Sequence, residues 1–282
     1  MSSKTRLCCL IGHPVDKSLS PIMHNEAFRA KGLDYVYLAF DVDDLYLKEA
    51  VEGLRALKVK GFNVTMPYKV AILNLLDKIN EDASFVGAVN TVVNDKDKLI
   101  GYNTDVDGII SALESKVNSL KGLKALLIGA GGAARACIVA LVSKGCNEII
   151  IMNRTFDKAK QMAEDLSKKL SMNYNLEKLN IDSLKKAISS VDIIINTTPI
   201  GTYPNLDESI IPQELIRKDL IVFDVVYNPK KTKLIRDAEK MGAKTIPGYE
   251  MFIRQGASSF KLWTGIDAPI DIMRRAVLKA LG

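Results

Sequence analysis

The chain is poor in the side chains that usually announce a metal site or a disulfide framework. Its 282 residues include four cysteines and two histidines, and no cluster has metal-ligand spacing, so no metal is expected. Cys8, Cys9, Cys137 and Cys146 form no C-x-x-C pair. That is reduced, cytoplasmic usage, with each thiol expected to act as a small buried hydrophobe. No uninterrupted apolar run is long enough to span a bilayer. The run at residues 7–11 is too short for the apolar region of a signal peptide. Aromatic residues make up only 6%, and they are not interleaved with the basic ones as on nucleic-acid platforms. No repeat or low-complexity segment is evident. These absences exclude nucleic-acid and membrane partners. The expectation is a cytoplasmic globular protein that handles a small molecule, and monomer and homodimer both stay open.

What is present is ample core material. Hydrophobic residues make up 48% and charged residues 26%, the ordinary balance of one large domain or two smaller ones. The net charge is +6, with basic residues scattered and interrupted by acids, as in the helix-like stretch 157–169. Such a face is solvated, and its mild positive field favours small anions.

Strand and helix patterns alternate along the chain. Strands are predicted at 7–12, 35–40 and 61–64, and helices at 20–31, 43–57 and 67–76. A hairpin follows, with strands at 88–93 and 99–102 around a polar turn. A helix at 105–117 leads into a second alternation, with strands near 124–128, 147–152, 191–196, 220–224 and 243–246. Helical patterns close the chain at 249–263 and 270–281. The expected class is α/β: an N-terminal mixed-sheet domain and a C-terminal Rossmann doubly wound domain, with a cleft between them.

The strongest local signal is mid-chain. Leu126-Leu127-Ile128 feeds Gly129-Ala130-Gly131-Gly132-Ala133-Ala134, where Gly129, Gly131 and Ala134 fit the G-x-G-x-x-A dinucleotide fingerprint. Glycines there let the backbone approach a pyrophosphate, and the helix N-terminus offers free N–H groups to it. The next strand ends in Asn153-Arg154-Thr155. An NAD enzyme usually places a carboxylate at that point for the ribose hydroxyls; Arg154 suits a 2′-phosphate instead. One charge-assisted hydrogen bond is worth about 1.5–3 kcal/mol, roughly a 10- to 150-fold preference for NADP. NADP is therefore the expected cofactor, with NAD as the alternative.

The first half carries polar strand-to-helix junctions. Asn63-Val64-Thr65-Met66-Pro67-Tyr68-Lys69 puts polar groups at a strand end and an amine in a predicted first helical turn. Gly101-Tyr102-Asn103-Thr104-Asp105 repeats that logic, and Ser18-Leu19-Ser20-Pro21 offers two hydroxyls near a helix start. Such junctions suit a ligand crevice, and the serines suit a carboxylate. Helix capping alone would also explain Ser20. His13, His24, Phe260 and Trp263 read as structural, and Asp224 as a holder of local backbone.

These segments, with Gly87-Ala88-Val89-Asn90-Thr91, Asn196-Thr197-Thr198-Pro199-Ile200-Gly201, Asp224-Val225-Val226-Tyr227-Asn228-Pro229 and Gly248-Tyr249-Glu250-Met251-Phe252-Ile253-Arg254-Gln255-Gly256, run in order from residue 18 to 256. In them the chain resembles the shikimate dehydrogenase family. The resemblance implies reversible hydride transfer between shikimate and 3-dehydroshikimate, usually with NADP, a step of aromatic amino-acid (chorismate) biosynthesis. It implies Lys69 and Asp105 as the catalytic pair. Ser18 and Ser20 would hold the substrate carboxylate, and Asn63, Thr65, Asn90, Asp105 and Gln255 the ring hydroxyls, with Tyr227 near the substrate. Gly129, Ala130, Gly131, Gly132, Ala133, Asn153, Arg154, Thr155, Thr197 and Gly248 would line the cofactor. The substrate domain would span 1–105, completed by helices at 255–282, and the cofactor domain 106–254.

The catalytic roles carry a physical tension. In reduction, a lysine ammonium can stabilise a developing alkoxide and donate its proton. In oxidation a neutral amine must serve as base, and free lysine titrates near 10.4. Either burial or joint titration of the Lys69–Asp105 pair would then have to contribute. Three rivals stay open: a quinate/shikimate dehydrogenase using NAD or NADP, a folate-linked dehydrogenase, and a ligand sensor without turnover. The paired Lys69 and Asp105 motifs argue against the last two.

Overall fold

The computed structural model describes residues 2–282. Backbone contacts divide the chain into two compact units. One comprises the residues up to Asp105 together with Ile253–Ala280; the other comprises Val106–Phe252.

The first unit is built on a six-stranded mixed sheet. Its strands are β1 (Arg6–Gly12), β2 (Tyr35–Asp41), β3 (Gly61–Val64), β4 (Lys78–Ile79), β5 (Thr91–Asp95) and β6 (Lys98–Tyr102), in the order β2-β1-β3-β5-β6-β4. β1 runs parallel to β2 and β3, whereas β5 is antiparallel to both β3 and β6. The β5–β6 hairpin turns on Lys96 and Asp97, both at positive φ (52° and 67°). That is the pairing a tight two-residue hairpin turn demands. The predicted hairpin is present, but its strands run farther into the polar turn than expected, because a turn of this type needs only two central residues.

Helices α1 (Ser20–Ala30), α2 (Leu47–Ala56) and α3 (Glu81–Val86) complete the early part of this unit. The predicted helix at 43–57 begins instead with a 3₁₀ turn, Asp44–Tyr46, whose first amides are met by Asp43: its carboxylate accepts from Leu45 N at 2.9 Å. The predicted helix at 67–76 does not form. Residues 66–70 are turns and Ala71–Leu75 is a short 3₁₀ segment. The apolar spacing there is real, since Ile72 is fully buried. Asp77 ends the run, however: its carboxylate accepts from Leu99 N at 2.7 Å and its own N–H donates to Leu99 O at 3.0 Å. That pulls the chain onto the sheet as edge strand β4 before a helix can propagate.

The second unit holds strands β7 (Lys124–Ile128), β8 (Glu148–Asn153), β9 (Tyr174–Lys178), β10 (Ile193–Asn196), β11 (Ile221–Asp224) and β12 (Lys244–Ile246). Their order is β12-β11-β10-β7-β8-β9, and every pair is parallel. Read from β9, this is the 3-2-1-4-5-6 order of a Rossmann sheet. The central strands are apolar except at their ends, as a sheet covered on both faces requires. β9 escaped the strand reading because Tyr-Asn-Leu-Glu-Lys is an edge strand, half-exposed along its length. Helices α4 (Asp105–Glu114), α5 (Gly132–Ser143), α6 (Phe156–Ser167), α7 (Ile181–Ile188) and α8 (Lys233–Lys240) lie between the strands, and α9 (Gly248–Thr264) and α10 (Ile270–Leu281) close the chain.

The sheet faces form the cores. In the first unit Phe62, Ile72, Val92 and Leu99 are fully buried. Trp263 of α9 is buried there as well, and its indole N–H donates to Val92 O at 3.0 Å. Cys8, Cys9 and Cys137 are buried as expected; Cys146 is only half-buried, with its Sγ donating to Leu123 O at 3.0 Å. Burial pushes the Cys9 thiol up to about 12. No helix among the described residues is long and apolar enough to cross a membrane, and no group of His, Cys, Asp and Glu among them could hold a metal ion.

Candidate active site

Sheet register gathers one group of polar residues at one end of the mixed sheet. Asn63 pairs with Thr91, and Thr91 with Tyr102. The chain leaving β3, entering β5 and leaving β6 therefore meets there. Lys69 lies in the turn after β3, and Asp105 opens α4 just after β6.

Lys69 Nζ donates to Asp105 Oδ2 at 2.5 Å; the carboxylate side chain is 3% exposed and the lysine side chain 18%. Asp105 Oδ1 accepts from Asn90 Nδ2 at 2.8 Å. Both carboxylate oxygens thus have charge-assisted or amide donors, which a buried anion requires. The lysine spends one of its three donors on this bond, leaving the ammonium able to reach a further acceptor. Its placement corrects one expectation. Lys69 sits in the turn at 66–70 rather than in a first helical turn, so no helix dipole acts on it, and the carboxylate is its electrostatic partner.

Asn90 is itself held. Its Oδ1 accepts from Thr104 N at 2.8 Å, and a backbone N–H only donates. The amide must therefore turn its NH₂ toward Asp105. Asn63 is held the same way: Oδ1 accepts from the Tyr37 hydroxyl at 2.7 Å, and Nδ2 donates to Asn90 O at 3.1 Å. Thr65 follows β3, half-buried, with its N–H on Ile11 O at 3.0 Å.

The serines stand at the start of α1. Leu19 occupies the cap position and no side chain caps the helix, so capping does not account for Ser20. Ser18 Oγ accepts from Ser20 N at 3.3 Å, and Ser20 is 5% exposed. Gln255 is half-buried on α9. His24 is wholly buried, its ring stacked on Tyr37 at 4.5 Å, and neither ring nitrogen has a hydrogen-bond partner. Burial lowers it to about 3. It is a neutral packing ring, in line with the structural role read for it. His13 is exposed and paired with Asp41 at 2.5 Å.

The second unit gathers the fingerprint residues. Ile128 pairs with Met152, so the turns after β7 and β8 leave the sheet side by side. One carries Gly129, Ala130, Gly131, Gly132 and Ala133; the other carries Asn153, Arg154 and Thr155. Gly129 has φ +124°, and a Cβ there would lie 2.1 Å from Thr197 Oγ1. Only glycine fits that position. The Thr197 hydroxyl donates to Ile128 O at 2.8 Å, so Thr197 buttresses the turn. Gly131 precedes α5, whose N-terminus has no side-chain cap, and a Cβ on Gly131 would meet nothing within 4 Å. Free N–H groups, open space and an exposed Arg154 fit a dinucleotide bearing a 2′-phosphate. Asn153 Nδ2 donates to Thr155 O at 2.8 Å and so shapes the Arg154 turn.

Farther along the same sheet, Asp224 holds backbone as read. It accepts from Val226 N at 3.1 Å, Asn196 Nδ2 at 3.0 Å and Thr232 Oγ1 at 2.6 Å. Burial raises its carboxyl to about 6 despite those donors. This fixes the segment bearing Tyr227, whose ring stacks on Phe252 at 4.1 Å. Gly248 lets α9 start against that segment, since a Cβ would lie 2.5 Å from Val226 O.

Sequence reasoning passed over Tyr37, Thr91, Thr104 and Ser259, all buried. Two of them stand inside quoted motifs. For Ser259 the available signal was helical spacing, four residues after Gln255 and four before Trp263, which places it on their face of α9.

Comparison with known proteins agrees with this arrangement. Residues 10–92 match the shikimate dehydrogenase substrate binding domain, residues 111–241 the shikimate / quinate 5-dehydrogenase model, and residues 248–278 the shikimate 5'-dehydrogenase C-terminal domain. A shikimate dehydrogenase (NADP(+)) of Methanocaldococcus jannaschii is 47% identical over 99% of this chain and 98% of its own. A crystal structure of a shikimate dehydrogenase in complex with NADP+ has a TM-score of 0.93 at 45% identity, covering 100% of this chain and 98% of that one. The shikimate 5-dehydrogenase of Listeria monocytogenes, solved with shikimate and NAD, has a TM-score of 0.87 at 41% identity over 98% of this chain and 97% of its own. The chain belongs to the shikimate dehydrogenase family.

Proposed function

We propose that the chain is an NADP-dependent shikimate dehydrogenase that reversibly reduces 3-dehydroshikimate to shikimate in aromatic amino-acid biosynthesis. The observation that carries this reading is the buried Lys69–Asp105 pair, braced by Asn90 at the sheet end, in a chain of this family. Bound NADPH supplies the hydride. The protein supplies what the ketone oxygen needs as charge develops on it: an ammionium donor at Lys69 Nζ, with Asp105 fixing that donor's direction. In the reverse direction the same pair receives the hydroxyl proton. Ser18 and Ser20 hold the substrate carboxylate, and Asn63, Thr65, Asn90 and Gln255 contact the ring hydroxyls. In the second unit, the open N-terminus of α5 takes the pyrophosphate and Arg154 the 2′-phosphate. The four free thiols support a cytoplasmic setting.

The test is a four-way assay of purified protein: shikimate and quinate, each with NADP and NAD, followed by the absorbance of the reduced nicotinamide. Turnover of shikimate with NADP is the expected strongest signal. Its absence sinks the proposal, and comparable quinate turnover with NAD shifts it to the quinate/shikimate reading.

A further inference from the structure

Three buried hydroxyls lie beside the Asn90 amide and close into a triangle. Thr91 Oγ1 and Ser259 Oγ are 2.8 Å apart, Thr104 Oγ1 and Ser259 Oγ 3.2 Å, and Thr91 and Thr104 Oγ1 3.3 Å. Thr91 and Ser259 are fully buried and Thr104 is 3% exposed. Two amides flank the triangle. Asn63 Nδ2 donates toward Thr91 Oγ1 at 3.0 Å and Ser259 Oγ at 3.1 Å. Asn90 Nδ2 donates to Thr104 Oγ1 at 3.0 Å, and Asn90 Oδ1 accepts from Thr91 Oγ1 at 3.0 Å.

A donor count shows what the triangle does. Each NH₂ group has two hydrogens. Asn90 uses one on Asp105 Oδ1 and one on Thr104; Asn63 uses one on Asn90 O and shares the other between Thr91 and Ser259. Flipping Asn90 would set its oxygen against the Asp105 carboxylate and its NH₂ against Thr104 N–H. Hydroxyls can reverse their donor sense, so the Thr104 N–H and Asp105 set which way Asn90 faces, and the triangle supplies the remaining partners of both amides. Ser259 is the member that comes from outside the sheet. Its single hydrogen reaches Gln255 O at 3.1 Å, one turn earlier on α9, and when used there Ser259 Oγ serves the triangle as an acceptor.

We infer that Ser259 is a positioning residue for the reaction: it completes the hydroxyl triangle that supplies the remaining partners of the Asn63 and Asn90 amides, and so stiffens Asn90 against Asp105, whose Oδ2 faces Lys69. This rests on the proposed role of the Lys69–Asp105 pair. Ser259 touches no reacting atom in this scheme, so its loss acts on turnover through the carboxylate.

The test compares Ser259→Ala, Thr91→Val and Thr91→Ser with the unaltered enzyme across a pH series. Ser259→Ala and Thr91→Val are each expected to lower kcat about tenfold, the effect of roughly one hydrogen bond. They should displace the pH profile of kcat while leaving KM for NADP unchanged. Thr91→Ser keeps the hydroxyl and should retain kcat and the profile. The Ser259→Ala/Thr91→Val double variant should lose less than the product of the single losses, because both act on one cluster. A Ser259→Ala enzyme with unaltered kcat and pH profile, and only a lower melting temperature, overturns the inference. Should Ser259→Ala not fold, equal kcat in Thr91→Val and Thr91→Ser overturns it instead. If the unaltered protein fails to oxidise shikimate, the functional reading falls and this inference falls with it; if it is active and the variants are silent, only the positioning role falls.

Discussion

The two halves of the proposed chemistry are built from different materials. At the end of the mixed sheet the work is done by side chains: an ion pair, two oriented amides and a set of hydroxyls, nearly all buried and mutually bonded. At the end of the parallel sheet it is done mostly by backbone: a glycine turn, uncapped helix amides and one exposed arginine. A side-chain site can place a proton donor to within a bond length, but it needs many distant residues to agree. A backbone site binds a large anion with few residues, and a short stretch of chain suffices to specify it.

That contrast predicts how each half breaks. Lys69→Ala should cause the largest loss, lowering kcat about 10²–10⁴-fold, the usual worth of a general acid-base group. Shikimate KM should change far less. A large rise in KM with normal kcat would recast Lys69 as a binding group only.

Acid should come next, and it should act on the side-chain half. Buried, neutral His24 lies at about 3 in the folded state, below its unfolded value near 6.5. Its stabilising contribution is therefore complete above pH 6.5 and is lost as pH falls toward 3. The loss approaches about 1.4 kcal/mol per pH unit, or about 2–3 kcal/mol by pH 4.5. Denaturant midpoints measured between pH 7 and 4.5 should fall accordingly, and His24→Phe should flatten the trend. An equally steep fall in His24→Phe would assign the acid sensitivity elsewhere.

On the backbone half, Arg154→Ala should raise the NADP KM roughly 10- to 150-fold and leave NAD kinetics alone. Equal losses for the two cofactors would mean that Arg154 does not read the phosphate. Gly129→Ala should cost about 1–3 kcal/mol of stability through its positive φ, with weaker cofactor binding. An alanine variant of native stability would show that the Thr197 contact yields easily.

The same contrast explains what was legible beforehand. The Gly129 turn, the Asn153-Arg154-Thr155 strand end and the parallel strands were readable because their physics is local: an apolar run, a helix start, a glycine where a Cβ cannot fit. β9 was missed because an edge strand need not be apolar. The helix expected at 67–76 failed because apolar spacing does not register Asp77, whose bonds to Leu99 draw the chain onto the sheet. Lys69 and Asp105 were readable as residue types at motif positions. Their 2.5 Å contact was not, since it depends on β3, β5 and β6 pairing in one register.

By itself, then, the sequence determined the alternation of strands and helices, the dinucleotide turn and the cast of polar residues, because each is set within one or two turns of chain. Only the tertiary structure decided how those residues use their donors and acceptors. It capped nothing with Ser20, set Thr197 behind the glycine turn, and brought Ser259 from the far end of the chain against Thr91 and Thr104. Hydrogen-bond partners across more than 150 residues are chosen by register and burial, and neither can be read from spacing along the chain.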